Sequence, residues 1–354
     1  MSRFFDEKYI QLTPYTPGEQ PKVKGRLIKL NTNENPYPPA PAVAELIDRR
    51  QIDDLRLYPD PEASALNEAI AAGLGIDKKQ VITGNGSDEI LAFVFMAFKG
   101  KTGKVYYPEI SYSFYPVYCD VFGAEGVKIP LRDDFSVGVE DYCDLDGTIV
   151  ITNPNAPTGM ALDVESIEEI LRHNKDNLVV IDEAYVDFGA DSAVQLIDSY
   201  DNLLVIQTFS KSRSLAGARI GYAMGNEELI ADLNTIKSSF NPYNLDRLAI
   251  LAGIEAMKDM DYFNMTCSRI MDTRERFVSA MRQLGFTVLP SKANFVFASC
   301  SEISGQEYFD RLREKNIIVR HFTDRKTADF VRITIGTDEE MELLLEATGE
   351  ILGR

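Results

Sequence analysis

Two hydrophobic rhythms alternate along the chain from about residue 62. ASALNEAIAAGLG and SDEILAFVFMAF space their apolar residues as helices do, and VESIEEILRHN does so with a charged opposite face. Between them come short apolar runs: QVITG, KVYYP, TIVITNP, NLVVIDEA and LLVIQTFS. Runs of this length separated by helices predict strands covered on both faces. The pattern is that of an α/β fold with a mostly parallel mixed sheet sandwiched by helices. From about residue 246 the rhythm changes. A long helical stretch leads to TVLPSKANFVFAS, a helix near QEYFDRLREKN, the runs IIVRHF and FVRITIG, and a closing helix DEEMELLLEATGEIL. That order predicts a smaller α+β unit. LTPYTPGEQ and LNTNENPYPP, in the first 40 residues, predict an extended arm with turns that packs on it. The expected division is 36–245 for a large domain and 1–35 plus 246–354 for a small one, with a boundary good to about ten residues.

Composition agrees with two cores: 354 residues, 45% hydrophobic and 26% charged. No apolar run reaches the roughly 18 residues of a membrane span, and MSRFFDEKYIQ lacks the pattern of a secretory signal. A soluble, cytoplasmic protein is expected. A net charge of -18 repels nucleic acids and anionic membranes, so neither is an expected partner, and an anionic ligand needs a local cationic pocket. Cys119, Cys143, Cys267 and Cys300 are scattered, with no C-x-x-C pair and no histidine near any of them in sequence. Neither a zinc site nor a disulfide framework is expected. His173 closes an amphipathic helix and His321 is the other histidine, so histidine-centred chemistry is poorly supplied.

Ligands of open α/β sheets collect at the carboxyl ends of strands. QVITG runs into Gly84-Asn85-Gly86-Ser87-Asp88, which opens a helix whose first amides suit a phosphate, although a turn capped by Ser87 or Asp88 looks the same. NLVVIDEAY ends on Asp182 and Tyr185, VIQTFSKS on Thr208, Ser210 and Lys211, and Arg219 follows eight residues after the lysine. Each alone reads as a cap, a packed side chain or a surface charge. Together they match the needs of pyridoxal phosphate: a lysine for its aldehyde, a carboxylate for its ring nitrogen, and donors for its phosphate. Lys211 and Asp182 supply the first two. Ser210, Thr208, Arg219 and the amides at Gly86 and Ser87 supply the third.

The series GNGSDE, NPNAPTG, VIDEAY and TFSK resembles the fold-type I aminotransferases of the aspartate aminotransferase superfamily. LYPDP, PEISYSFY, NPYNLDRLA, IIVRHF and FVRITIG extend the likeness to the histidinol-phosphate aminotransferase subfamily over nearly the whole chain. The resemblance implies catalytic Lys211, Asp182 and Tyr185, with Tyr112 stacked on the cofactor ring and Tyr185 at its 3'-oxygen. Asp88 and Asn155 join the implied cofactor set. Tyr58 would reach the phosphate bound by the neighbouring subunit, which implies a homodimer. Arg332, Arg320, Tyr15 and Asn33 would take the substrate. The implied reaction moves an amino group between L-histidinol phosphate and 2-oxoglutarate, in histidine biosynthesis. Another amino-acid aminotransferase, a threonine-phosphate decarboxylase and a cofactor-sensing regulator are the alternatives. One departure stands out. The family's second Asn of N-N-P-T-G, which faces the 3'-oxygen, is Ala156 here, and Asn155 does not inherit that contact.

Overall fold

A computed structural model describes residues 7–9, 12–20, 25–46 and 49–354. In chain order the strands are β1 (Ile28–Lys29), β2 (Val81–Asn85), β3 (Lys104–Pro108), β4 (Glu125–Ile129), β5 (Thr148–Thr152), β6 (Val179–Asp182) and β7 (Leu203–Thr208). They continue as β8 (Ile220–Gly225), β9 (Phe286–Val288), β10 (Phe295–Cys300), β11 (Ile317–Ile318), β12 (Arg320–His321) and β13 (Phe330–Thr334). A seven-stranded sheet has the order β2-β8-β7-β6-β5-β3-β4. Pairs among β3 to β7 are parallel, while β8 is antiparallel to both neighbours. The expected mostly parallel mixed sheet is present.

Its central strands are apolar on both faces because both faces are covered. Ile149, Ile151, Val179 and Ile181 enter one core, with Ile167 and Ile170 of helix Val164–His173. The alternate residues Val150 and Val180 enter another, with Phe93 and Val94 of helix Gly86–Ala97 and Tyr115 of helix Tyr115–Phe122. Strands β5, β6 and β7 end side by side, with Asp182 opposite Thr152 and Ile206. That register is what gathers the strand-end residues.

Two strands of the large sheet escape the hydrophobic pattern. Edge strand β4 is largely exposed, so EGVKI carries no apolar run. In β8, IGYAMG holds two glycines, and Gly221 passes so close to the turn that opens helix Gly86–Ala97 that a Cβ would lie 2.2 Å from the Ser87 amide nitrogen. Packing selects glycine there over a strand-forming residue.

The smaller sheet has the order β12-β13-β10-β9, and β1 of the arm pairs in parallel with β11. The long helical stretch is two helices, Arg247–Lys258 and Met260–Gln283. Asp259 parts them, its carboxylate accepting from the Tyr262 amide as the cap of the second. Ala249, Ala252 and Met257 of the first helix pack into the core of the large sheet. Ile270, Phe277 and Met281 of the second pack with Phe295 and Val331 of the small one. The change of core along the chain therefore falls at residue 259.

Candidate active site

Asp182 ends β6 almost fully buried. The Tyr115 hydroxyl donates to its Oδ2 at 2.8 Å and the Ala184 amide to its Oδ1 at 3.3 Å. Tyr115 also shares a 2.8 Å hydrogen bond with Thr152. Burial nevertheless lifts the carboxyl from 3.8 to about 6, because no cation among the described residues lies beside it to offset desolvation.

The glycine turn is built around an arginine. Gly86 sits at φ +79, and a Cβ on it would lie 2.4 Å from the Arg219 guanidinium. Arg219, itself at φ +52, donates to Asp88 Oδ2 at 2.9 Å, and the Tyr112 hydroxyl donates to Asp88 Oδ1 at 2.7 Å. One carboxylate thus ties the phenol to the guanidinium at the start of a helix. Tyr112 stands edge-on to Tyr115, their ring centres 5.7 Å apart. On the neighbouring strand end, the Thr208 hydroxyl donates to Ser210 Oγ at 2.9 Å.

Lys211, three residues beyond the end of β7, opens into a cavity. Its Nζ donates to the Thr32 carbonyl at 3.1 Å and stands 5.7 Å from the centre of the Tyr185 ring. Asn35 holds the backbone behind it, donating to the carbonyls of Lys211 and Ser212 at 3.0 and 3.1 Å. Asn33, buried at φ +56, donates to the Tyr185 hydroxyl at 3.0 Å and accepts from Thr334 at 3.0 Å. The arm therefore fixes both the lysine and the tyrosine.

Across the cavity, Arg320 and Arg332 face each other as cross-strand partners on β12 and β13. Like charges in that register repel. Arg332 Nη2 donates to the Asn31 carbonyl at 2.9 Å, while its Nε is buried with no partner among the described residues. Phe295 and Phe322 lie 5.4 and 5.8 Å from its guanidinium carbon. Burial pushes the Arg332 pKa down, Arg320 pushes it down further, and no carboxylate is among the groups acting on it. Tyr15 stands near both arginines, its own pKa raised by burial against their opposing pull.

Tyr15, Asn33, Tyr112, Tyr185, Lys211, Arg320 and Arg332 all line one cavity of about 480 Å³. Asp182, Thr208, Ser210, Gly86, Ser87, Asp88 and Arg219 do not line it. Asp88 and Arg219 connect to it through the Tyr112 hydroxyl, Asp182 through Tyr115, which packs on Tyr112, and Thr208 and Ser210 come just before Lys211 in the chain. Asn155 turns away, donating to the Ile110 carbonyl and to Thr158, and Ala156 lines the cavity in its place. Tyr58 does not join the cavity of its own chain. It is 78% exposed and stacks on Tyr243, ring centres 4.6 Å apart. Sequence reasoning missed Tyr115 and Asn35, which touch the strand-end groups through contacts 67 and 176 residues away in the chain.

The residues fit pyridoxal phosphate on three counts. An amine opens into the cavity, a buried carboxylate has no cation beside it among the described residues, and the lack of a Cβ at Gly86 lets the Arg219 guanidinium lie against the turn that opens a helix.

The family model described as aminotransferase class I and II matches residues 25–347. A histidinol-phosphate aminotransferase of Brachyspira hyodysenteriae is 53% identical over 347 residues, 98% of each chain. Among solved structures, the histidinol-phosphate aminotransferase from Clostridium acetobutylicum is similar with a TM-score of 0.84 at 27% identity, over 92% of this chain and 99% of that one. The one from Sinorhizobium meliloti, solved in complex with pyridoxal-5'-phosphate, gives 0.82 at 26% identity, over 92% and 91%.

Proposed function

Because the chain belongs to the class I and II aminotransferases, we propose that it transfers the amino group between L-histidinol phosphate and 2-oxoglutarate, yielding L-glutamate, in histidine biosynthesis. It is a pyridoxal-phosphate enzyme. The observation that carries the reading is the placement of Lys211 in the same cavity as a pair of arginines that no carboxylate among the described residues engages.

Pyridoxal phosphate, when bound, supplies a protonated ring that withdraws electrons from the substrate's α-carbon. The chain's own groups do the rest in this reading. Asp182, held by Tyr115, carries the negative charge that keeps the ring nitrogen protonated. Arg219, Ser210, Thr208 and the amides of Gly86 and Ser87 take the cofactor phosphate. Tyr112 would hold the ring and Tyr185 its 3'-oxygen, with Ala156 offering no donor there. Lys211 Nζ moves the proton at the α-carbon. Arg320 and Arg332, with Tyr15 and Asn33 nearby, take the phosphate of one substrate and a carboxylate of the other in turn, since forked donors suit both anions.

The same reading holds that two chains pair. Tyr58 lies outside its own cavity, stacked on Tyr243 with both rings exposed, and Ile52, Leu55, Leu57 and Phe240 close to them in sequence are exposed as well, apolar surface that a second copy would cover. The reading takes the two-domain division over from the sequence but moves the boundary from residue 245 to residue 259, since helix Arg247–Lys258 packs into the core of the large sheet. A cytoplasmic location accords with cysteines that are all free.

The deciding experiment follows the absorbance of the bound cofactor as histidinol phosphate is added, then assays glutamate after 2-oxoglutarate. A shift of the lysine-bound band with coupled glutamate is expected. Carbon dioxide release from threonine phosphate, or a higher kcat/KM for phenylalanine, would sink the substrate assignment.

A further inference from the structure

The expectation against a zinc site rests on sequence distance, since no histidine lies near a cysteine along the chain. The fold removes that distance. His173 ends helix Val164–His173 and Glu169 lies one turn before it on the same face. Cys143 follows the 3-10 turn Val139–Tyr142, which packs beside that helix. Its Sγ, a carboxylate oxygen of Glu169 and a ring nitrogen of His173 all lie within 4.8 Å of one another. None of the three lines the cavity around Lys211.

We propose that Cys143, Glu169 and His173 bind one zinc ion, a site separate from the transamination centre. One thiolate, one imidazole and one carboxylate form a zinc-type donor set, whereas calcium and magnesium prefer oxygen throughout. Three protein ligands leave the fourth tetrahedral position to water. Asp144 Oδ1 lies 3.4 Å from His173 Nδ1, as a carboxylate that orients a metal-bound imidazole does.

The frame behind these side chains is already rigid. Buried Asn174 donates to the carbonyls of Tyr142 and Ile170, both at 2.7 Å, and accepts from the Leu145 amide at 3.1 Å. Asn177 donates to the Leu145 carbonyl at 2.7 Å. The backbone on both sides of Cys143 is thereby bolted to the end of the helix that carries the other two ligands. Tetrahedral zinc places its ligand atoms roughly 3.3 to 3.7 Å apart. Glu169 and His173 are exposed, so rotamer changes close the remaining gap without backbone movement.

The test uses metal-stripped holoenzyme and cobalt(II) as a reporter. One equivalent per chain should give the intense visible bands of four-coordinate cobalt, bleached by zinc. Cys143→Ser should lose those bands. His173→Asn and Glu169→Gln should each weaken zinc at least ten-fold in chelator competition, and all three variants should keep the cofactor's absorbance and turnover. An absence of four-coordinate bands in the parent protein overturns the proposal. So do bands and zinc affinity that survive in Cys143→Ser, since another thiol would then be the ligand.

Discussion

Asp182, at the end of β6, and Arg332, in β13, are both charges withdrawn from water, yet the chain keeps them in opposite ways. Asp182 is braced by a phenol and a backbone amide but has no cation among the described residues, and burial carries its carboxyl up to about 6. Arg332 has one carbonyl acceptor, an unpartnered Nε and a second guanidinium across the strand pair, and burial pushes its pKa down. Each is held at a disadvantage that a ligand of opposite charge relieves. The brace at Asp182 suits a partner that always docks in one pose. The looser support at Arg332 suits two anions of different shape that arrive in turn.

The comparison fails at once if the lysine between these two ends is dispensable. Lys211→Ala should lower transamination by at least about 10⁴-fold and abolish the absorbance of lysine-bound cofactor. Near-normal turnover would remove the centre of the reading. Asp182→Asn is next, with an expected loss of about 4 kcal/mol in kcat/KM, or roughly 10³-fold.

The same substitution should stabilise the protein stripped of cofactor. The Asp182 carboxyl is raised from 3.8 to about 6 on folding, so it weakens the fold progressively as pH rises between those values. The full deficit, about 3 kcal/mol, persists above them and is absent below pH 4. Denaturant unfolding should show Asp182→Asn more stable by that order at pH 8 and unchanged at pH 4. A variant destabilised at both would mean that the carboxylate is structural.

How much of this pair was legible in the sequence depends on distance along the chain. Asp182, Lys211 and Arg219 each end or follow a short apolar run, a local pattern that survives without knowledge of the fold. Arg320 and Arg332 stand in two separate strand-like runs, but their confrontation exists only in the register of β12 with β13. Tyr115 reads as one aromatic among several in PEISYSFYPVY, and nothing local aims it at β6. The glycine-bearing strand β8 and the break at Asp259 stayed hidden for a related reason. Close packing chose Gly221, and a cap chose Asp259, where the hydrophobic rhythm alone favoured neither.

The arginine end is sharpened by Arg332→Ala. Each anionic ligand should lose about 2 to 3 kcal/mol, a 30- to 150-fold rise in KM for histidinol phosphate and for glutamate alike. A rise confined to one of them would show two separate anion sites and undo the idea that one loosely supported pair serves both.

Tyr115→Phe carries the smallest expected effect and asks whether the brace at Asp182 tunes the carboxylate or only fills space. Losing the hydroxyl should cost kcat/KM about 1 to 1.5 kcal/mol, near ten-fold. It also leaves Thr152 without that partner, a cost independent of pH. The donated hydrogen bond lowers the Asp182 pKa, so its loss moves the folded-state value further above 3.8. That extra destabilisation must appear only where the carboxylate is ionised in the unfolded chain. In the cofactor-free protein Tyr115→Phe should therefore cost more stability at pH 8 than at pH 4, and in an Asp182→Asn background it should cost the same at both. An equal loss at both pH values in the parent would reduce Tyr115 to packing, and the contrast with the loosely supported arginines would rest on geometry alone.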